Sequence, residues 1–413
     1  MKIWHNLSLL SIGVRPLGMS YLIVMVCGII GATVWARLMP QEIFGQFKVV
    51  LAVLGVISSF CLLGTSQAAT MSASKGKDGN LVRLLRSKLL ANVGGGLAIL
   101  GAAAYYAWGP NESEPIAAGL LIAALLFPLY NTSDIWMAWL NGKSKFQTLS
   151  NGRSLTSLLT LTTILSLGLL GVVDLWVIIF VYVFVLSAQN VLMLRKVLQF
   201  RVGSVKDDKV VRLGRHVSLT GLFGSLMALD VIILHNYFSA VDVAIYSIAL
   251  LFPLQIKGIF AIFNQTLAPG MYRSKSLEEL WMNFRGQFVL LTAGFVTIAI
   301  IGFFLLPSIT TLLFSEKYAE AAEYGKWLWL TVGLLASTGY LGVALTACHS
   351  LVTIYASGFV YPVCLAGLYF YWAEDGIEGM MTARIIAACG LSAIYVASFI
   401  ILLWREKKNA RQL

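Results

Sequence analysis

Residues 287–306 read QFVLLTAGFVTIAIIGFFLL and contain no charged side chain. As an α-helix with a rise of 1.5 Å per residue, this stretch would be about 30 Å long, which matches the hydrocarbon core of a bilayer. Apolar runs of similar length recur along the whole chain, so we predict about twelve transmembrane helices. The predicted spans are 16–37, 47–73, 89–108, 116–140, 154–173, 175–194, 217–238, 243–270, 287–306, 323–347, 351–372 and 378–403.

The composition of the 413-residue chain excludes a water-soluble fold. Hydrophobic residues make up 58% of the chain and charged residues 12%, whereas soluble domains carry about 25% charged residues. So few charges could not cover the surface of a protein of this size in water. Because the apolar runs are long and do not alternate as barrel strands do, we predict an all-α polytopic membrane protein.

Lysine and arginine are distributed unevenly between the predicted spans. Most of the 30 basic residues fall in every second gap, together with the two ends of the chain. The positive-inside rule assigns such gaps to the cytoplasm. We therefore predict that both termini are cytoplasmic. The net charge of +11 follows from this topology and does not indicate nucleic-acid binding.

The longest hydrophilic stretch, residues 195–216, lies between the sixth and seventh predicted spans and carries a basic run from Arg195 to Arg215. We predict that it is a cytoplasmic linker between an N-lobe, residues 1–194, and a C-lobe, residues 217–413, with six helices each. Transporters built from two parallel repeats place their substrate site between the halves. A central cavity between the lobes is therefore expected.

No constellation for catalysis or metal binding occurs in the sequence. Phosphate-loop, HExxH and GxSxG motifs are absent. The five cysteines lie within apolar spans and lack the CxxC spacing of redox and zinc sites. We predict neither an enzyme nor a bound metal or cofactor.

Four charged residues lie inside long apolar stretches, namely Asp134, Asp230, Lys257 and Arg384. A charge at membrane depth costs at least ~2.5–3.5 kcal/mol, so it is kept for a partner, a cavity or a substrate. Lys257 and Asp230 are expected at similar depth, near the midplane. They form either a structural ion pair or an anion site that the acid tunes. Arg384 lies nearer the outside and is a second candidate for binding an anion.

Asp134 lies in an unusually polar run, YNTSDIW at residues 130–136. A carboxylate in such a setting can bind H⁺ or Na⁺, whose entry would drive export. The alternative is a structural contact between packed helices. Ion coupling and structural pairing are both open for Asp134 and for Asp230.

Two prolines lie in mid-span, each within the word Leu-Leu-Phe-Pro-Leu. They are Pro128 and Pro253. Proline removes a helix hydrogen bond and bends the helix. The bend is either static or a hinge for alternating access.

The helix junctions of the two halves resemble those of a known family. The residues that carry the resemblance are Arg15-Pro16 entering the first span, ARLMPQEIFGQF at 36–47 and VDVAIY at 241–246. Residues 236–246 also form a weak repeat of the earlier junction, since in both an acid-containing loop leads into an aromatic helix start. The pattern is similar to that of the lipid-linked oligosaccharide flippases of the multidrug/oligosaccharidyl-lipid/polysaccharide exporter superfamily.

The resemblance implies two six-helix lobes around a cationic cavity in the bacterial inner membrane. Such a flippase carries an undecaprenyl-diphosphate-linked oligosaccharide of an O-antigen, capsule or exopolysaccharide to the periplasmic leaflet. Transport would proceed by alternating access, coupled to a cation or to the membrane potential. The partners would be this lipid-linked glycan, membrane lipid, H⁺ or Na⁺, a polysaccharide polymerase and a chain-length regulator. The expected substrate-binding residues are Lys257, Arg384, Arg15 and Arg37.

Two other functions are compatible with the sequence. A cation-coupled drug antiporter of the same superfamily would use the same fold, but would face its cavity with acids where a flippase for an anionic carrier has lysine and arginine. A polysaccharide polymerase or ligase handles the same lipid-linked substrate but needs a large outside loop for its chemistry. The longest outside gap, residues 307–322, is too short for such a loop.

Overall fold

The computed structural model describes residues 2–61, 65–200, 203, 205–206, 223–271, 276–347 and 355–410. Within these ranges every regular element is a helix and no strand occurs, so the predicted all-α class is confirmed. The α-helices are α1 Lys2–Leu38, α2 Gln41–Phe60, α3 Thr65–Ser74, α4 Asn80–Trp108, α5 Glu114–Tyr130, α6 Ser133–Gly142, α7 Phe146–Leu169, α8 Leu175–Gln199, α9 Leu229–Tyr237, α10 Ala240–Met271, α11 Leu277–Phe314, α12 Ala319–Ala347, α13 Tyr361–Tyr371 and α14 Gly376–Ala410.

Eight segments of the described chain are long and apolar enough to cross a bilayer. They are Pro16–Leu38, Gln41–Phe60, Asn80–Trp108, Glu114–Gly142, Leu175–Gln199, Leu277–Phe314, Glu316–Thr346 and Ala373–Glu406. Three shorter apolar helices fall on further predicted spans, namely Leu226–Tyr237, Ala240–Gln255 and Ala356–Tyr371. Helix α7 covers most of the predicted span 154–173. The described helices therefore follow the predicted spans, two of which (217–238 and 351–372) begin outside the described residues.

The chain divides into two compact units, residues 1–244 and 245–413, with the boundary inside α10. In the first unit α1 packs on α7, α5 packs on α4 and α8, and α3 packs on α6. In the second unit α12 packs on α11 and on α14. More than half of the predicted linker, 195–216, lies outside the described residues. The division of the chain into lobes at that linker stays a prediction.

The second and fourth predicted spans each consist of two helices in succession. Helix α2 ends at Phe60 before α3 begins at Thr65. Helix α5 ends at Tyr130 before α6 begins at Ser133. Both helix ends lie against α4, since the Cys61 thiol is 3.5 Å from an α4 carbonyl and the end of α5 bonds to α4 side chains.

The two mid-span prolines lie in different settings. Pro128 is in the last turn of α5, directly before the interruption. Pro253 is inside α10, which continues to Met271. The missing N–H of each proline removes one helix hydrogen bond to the preceding turn, and both α5 and α10 continue past the proline. A hinge at either position stays a prediction.

The start of α2 packs directly on the start of α10 at Gly45. A Cβ atom on Gly45 would lie 1.7 Å from the carbonyl oxygen of Ala240 and 2.5 Å from its carbonyl carbon. Only glycine lets two backbones approach this closely. Both residues belong to the repeated junction segments, which therefore meet within residues 1–244.

In the second unit, Glu406 near the end of α14 caps the N-terminus of α11. Its two carboxylate oxygens accept hydrogen bonds from the backbone N–H groups of Leu277 (3.2 Å) and Glu278 (3.0 Å). Ser276 accepts a third, from Glu279. The first N–H groups of a helix have no partner inside the helix, and a carboxylate both satisfies them and complements the helix dipole. The cap thus ties the last helix to α11.

Candidate functional site

A polar cluster in the first unit surrounds the interruption between α5 and α6. The interruption falls on Asn131 and Thr132, inside the polar run identified in the sequence. The last carbonyl groups of a helix have no donor within that helix, and in a membrane no bulk water replaces it. The end of α5 therefore needs side-chain donors from neighbouring helices.

Two asparagines supply these donors, Asn92 on α4 and Asn190 on α8. Both are buried. The carbonyl groups that accept their Nδ2 hydrogen bonds are those of Pro128 (3.0 Å, from Asn92), Asn131 (3.0 Å, from Asn92) and Tyr130 (2.7 Å, from Asn190). The side chain of Asn190 is itself held, because its Oδ1 accepts a hydrogen bond from the indole N–H of Trp136 (3.1 Å). The break in the fourth span is thus stabilised by hydrogen bonds from side chains of two neighbouring helices.

Replacing Asn92 by alanine should destabilise the protein, because two carbonyl groups and the side chain of Asn131 lose their partner together. Each buried polar group left unsatisfied costs ~1–3 kcal/mol. We expect a lower melting temperature in detergent, measured by the exposure of buried cysteine to a thiol-reactive dye. The exposed Asn151, replaced by alanine, is the control and should melt like the parent protein. Equal melting of the two variants would contradict this role of Asn92.

Asp134, in the first turn of α6, forms an ion pair with Lys88 on α4 across this interruption. The Nζ–Oδ2 distance is 3.1 Å, and the Lys88 side chain is 0% exposed while that of Asp134 is 23% exposed. Lys88 lies one position before the predicted span 89–108 and did not stand out in the sequence, but α4 begins eight residues earlier, at Asn80. A role of Asp134 in ion coupling stays a prediction.

Lys48 is a second charge that the structure places inside an apolar helix. It lies two turns into α2 and is half-buried. In the part of the chain that the structure describes, its ammonium has no carboxylate and no hydrogen-bond acceptor; its contact is the ring of Phe44, 5.1 Å away. The predicted span 47–73 put Lys48 at a helix edge. The helix-start signal Pro40-Gln41-Glu42 would have placed it deeper.

Arg384 in the second unit is held by two buried tyrosines. Its Nε donates a hydrogen bond of 2.7 Å to the hydroxyl of Tyr246 on α10. Its guanidinium lies 5.8 Å from the ring centroid of Tyr369 on α13. Both tyrosines are fully buried and Arg384 is half-buried. The ring of Tyr369 and the hydroxyl of Tyr246 therefore orient the guanidinium.

The other predicted site residues are placed as follows. Asp230 is buried in the first turn of α9, where its carboxylate accepts a hydrogen bond from the N–H of Val231 (2.9 Å). The side chain of Lys257 lies outside the described residues, so the Asp230–Lys257 pair stays a prediction. The side chain of Arg15 also lies outside them. Arg37 is exposed in the last turn of α1.

Among the described residues, no group of three or more His, Cys, Asp or Glu side chains could hold a metal ion. The chemistry that the arrangement supports is electrostatic. Lys48 in the first unit and Arg384 in the second each place a cation inside an apolar helix beside aromatic side chains. In a low-dielectric setting such a charge attracts an anion far more strongly than it would in water.

Comparison with known proteins gives a family match and a fold match. A family model described as polysaccharide biosynthesis protein matches residues 13–275. No curated protein sequence matches the chain.

Solved transporter structures are similar to the whole chain. An inward-facing multidrug resistance MATE family transporter of the MOP superfamily has a TM-score of 0.68 at 12% identity, covering 92% of this chain and 95% of that one. A MATE structure in complex with MaD5 has a TM-score of 0.64 at 14% identity, covering 94% and 98%. A MOP superfamily transporter from Pyrococcus furiosus, described by the reverse polarity of its binding pocket, has a TM-score of 0.62 at 13% identity, covering 94% and 98%. The predicted fold class is therefore confirmed.

Proposed function

This chain belongs to the polysaccharide biosynthesis protein family, and we propose that it is a flippase for an undecaprenyl-diphosphate-linked oligosaccharide. The family match and the transporter fold support this proposal. The proposed substrate is the repeat unit of an O-antigen, capsule or exopolysaccharide, moved from the cytoplasmic to the periplasmic leaflet of the bacterial inner membrane. Both termini are proposed to be cytoplasmic, as the distribution of basic residues indicates.

The single observation that carries this proposal is the charge of Lys48. A lysine two turns inside an apolar helix, with an aromatic ring and no carboxylate beside it among the described residues, is not explained by structural pairing. An intramembrane charge of this kind is a functional residue by default, and its expected partner is an anion. A diphosphate linked to an isoprenoid supplies that anion inside the membrane.

Arg384 supports the same substrate from the second unit. Tyr246 orients it through Nε, and a planar guanidinium is the group best suited to bidentate binding of phosphate oxygens. Lys257, Arg15 and Arg37 are proposed as further substrate-binding cations. Asp134 and Asp230 are proposed as the residues through which H⁺ or Na⁺ entry is coupled to export.

The sign of the charge at the proposed site distinguishes a flippase for an anionic lipid carrier from a drug exporter. The solved P. furiosus transporter is described as having a reversed pocket polarity that suggests a different function. By the same reasoning, a cationic site in this chain favours an anionic lipid carrier, whereas an exporter of cationic drugs needs acids there. The fold is shared by both classes, so the charge decides between them.

The test is transport by the purified protein in proteoliposomes. A fluorescent oligosaccharide on an isoprenyl diphosphate is added to both leaflets, and its outward movement is followed by quenching with a membrane-impermeant reagent. We expect flipping that is absent from protein-free vesicles and unaffected by cationic drugs. Drug uptake with no glycolipid flipping would instead establish the antiporter.

Replacing Arg384 by glutamine should slow this flipping at least about tenfold, because a charge-assisted hydrogen bond to phosphate contributes ~1.5–3 kcal/mol. Arg405 on the same helix, exposed near its end, is the matched control and should tolerate the same replacement. The measurement is the initial flipping rate at equal amounts of reconstituted protein. Equal rates in both variants would remove Arg384 from the site.

A further inference from the structure

The Lys88–Asp134 ion pair is not symmetric in its exposure. Lys88 on α4 is completely buried, while 23% of the Asp134 side chain is exposed. Part of the Asp134 side chain is therefore accessible from outside the protein, whereas Lys88 is not. A group that approached the pair would meet Asp134 before Lys88.

The position of the carboxylate suits an anion for a second reason. Asp134 lies in the first turn of α6, where the dipole of the helix favours negative charge. The ammonium of Lys88 and the N-terminus of α6 both stabilise negative charge at this position. The carboxylate of Asp134 supplies that negative charge.

The pair is also incompletely hydrogen-bonded. Oδ2 of Asp134 accepts the bond from Lys88, but the buried Oδ1 makes no well-aligned hydrogen bond with any described group. A buried pair that serves stability alone needs its remaining lone pairs satisfied.

We propose that Lys88 is a second binding residue for the phosphate groups of the substrate, occupied by Asp134 until the substrate displaces it. This inference rests on the proposed function. A diphosphate carries more negative charge than one carboxylate and offers more acceptor oxygens, so it competes effectively for a buried ammonium. The displaced side chain of Asp134 turns towards the accessible side, where it is already partly exposed.

The experiment measures the affinity of the purified full-length protein for farnesyl diphosphate, a short isoprenyl diphosphate, by titration calorimetry in detergent. Asp134→Asn removes the competing anion and should lower the Kd about tenfold. The double variant Lys88→Met/Asp134→Asn should lose this gain and bind about tenfold more weakly than the parent protein. Asp78→Asn is the matched control, because it removes the acid of another buried pair, with Lys143, and should leave the Kd unchanged.

An Asp134→Asn variant whose affinity is unchanged or weaker would overturn the inference. If that variant does not fold, with Lys88 left buried and unpaired, the double variant decides, since it contains neither charge. Affinity of the double variant equal to that of the parent protein means that the pair is only structural. Weaker affinity supports the inference.

Failure of this inference is distinguishable from failure of the proposed function. If the parent protein shows no saturable binding and flips no glycolipid in proteoliposomes, the proposed function itself is wrong. If the parent protein binds and Lys48→Met loses export, while removing the Lys88–Asp134 pair changes nothing, only the exchange at Lys88 is wrong.

Discussion

Replacing Lys48 by methionine is expected to reduce glycolipid flipping at least about tenfold while leaving the amount of folded protein unchanged or higher. Lys48 has no acidic partner among the described residues, so its removal leaves no carboxylate unpaired there. Methionine has a similar length and is apolar. Removing a lysine charge from an apolar helix favours membrane insertion, by up to ~2.5–3.5 kcal/mol at the helix centre. If the charge of Lys48 is unfavourable for insertion and its loss does not destabilise the protein, the residue serves to bind the anionic substrate.

The measurement combines flipping rates in proteoliposomes with quantification of folded protein by size-exclusion chromatography. Lys48→Arg should retain part of the activity, because it keeps the charge. Lys326→Met is the matched control. That ammonium also lies over aromatic rings, at 5.5 and 5.9 Å from their centroids, but it is paired with Glu323 on the same helix. Full activity of Lys48→Met would refute a cationic site in the first unit.

Replacing Gly45 by alanine is expected to prevent stable folding. The added Cβ would lie 1.7 Å from the carbonyl oxygen of Ala240, and both contacting atoms nearest to it belong to the backbone. Because α2 and α10 would have to separate, the cost exceeds the ~1–3 kcal/mol usual for overpacking by a side chain. A loss of this size is a large part of a typical folding free energy of 5–15 kcal/mol.

Gly55 on the same helix is the matched control, because nothing lies within 4 Å of the Cβ it would gain. Alanine is the better helix former by about 1 kcal/mol, so Gly55→Ala should be neutral or stabilising. The melting temperature and the monodisperse fraction in detergent report both variants. Equal melting temperatures of Gly45→Ala and Gly55→Ala would show that the two helix starts are not in close contact.

The Gly45 contact also gives a physical meaning to the repeated junction segments. In the sequence they appear as a weak similarity between 37–47 and 236–246. In the structure they are two helix starts, α2 and α10, that meet with backbone against backbone. The contact requires glycine at position 45, where the backbone of Ala240 leaves no room for a Cβ atom.

Much of the fold could be predicted because membrane insertion depends on local properties. A run such as 287–306 must be helical and must cross the bilayer, since an unsatisfied backbone group in lipid costs several kcal/mol wherever its neighbours are. Charged residues isolated within apolar stretches, such as Asp134 and Arg384, can be recognised in the sequence for the same reason. The sequence does not single out Lys48 and Lys88 because they lie at the edges of the predicted spans, where hydropathy cannot distinguish a loop from the first turns of a helix.

The sequence by itself determined the class of the protein, the positions of its spans and the presence of charges that need an explanation, because each depends on the chemistry of about twenty consecutive residues. Only the tertiary structure decided how those charges are used. Asp134 meets Lys88 46 positions away, the end of α5 is capped by Asn92 and Asn190, and Arg384 is directed by Tyr246. Such pairings depend on how each helix is rotated against its neighbours. That rotation is set by packing across the whole unit, and no local run of sequence contains it.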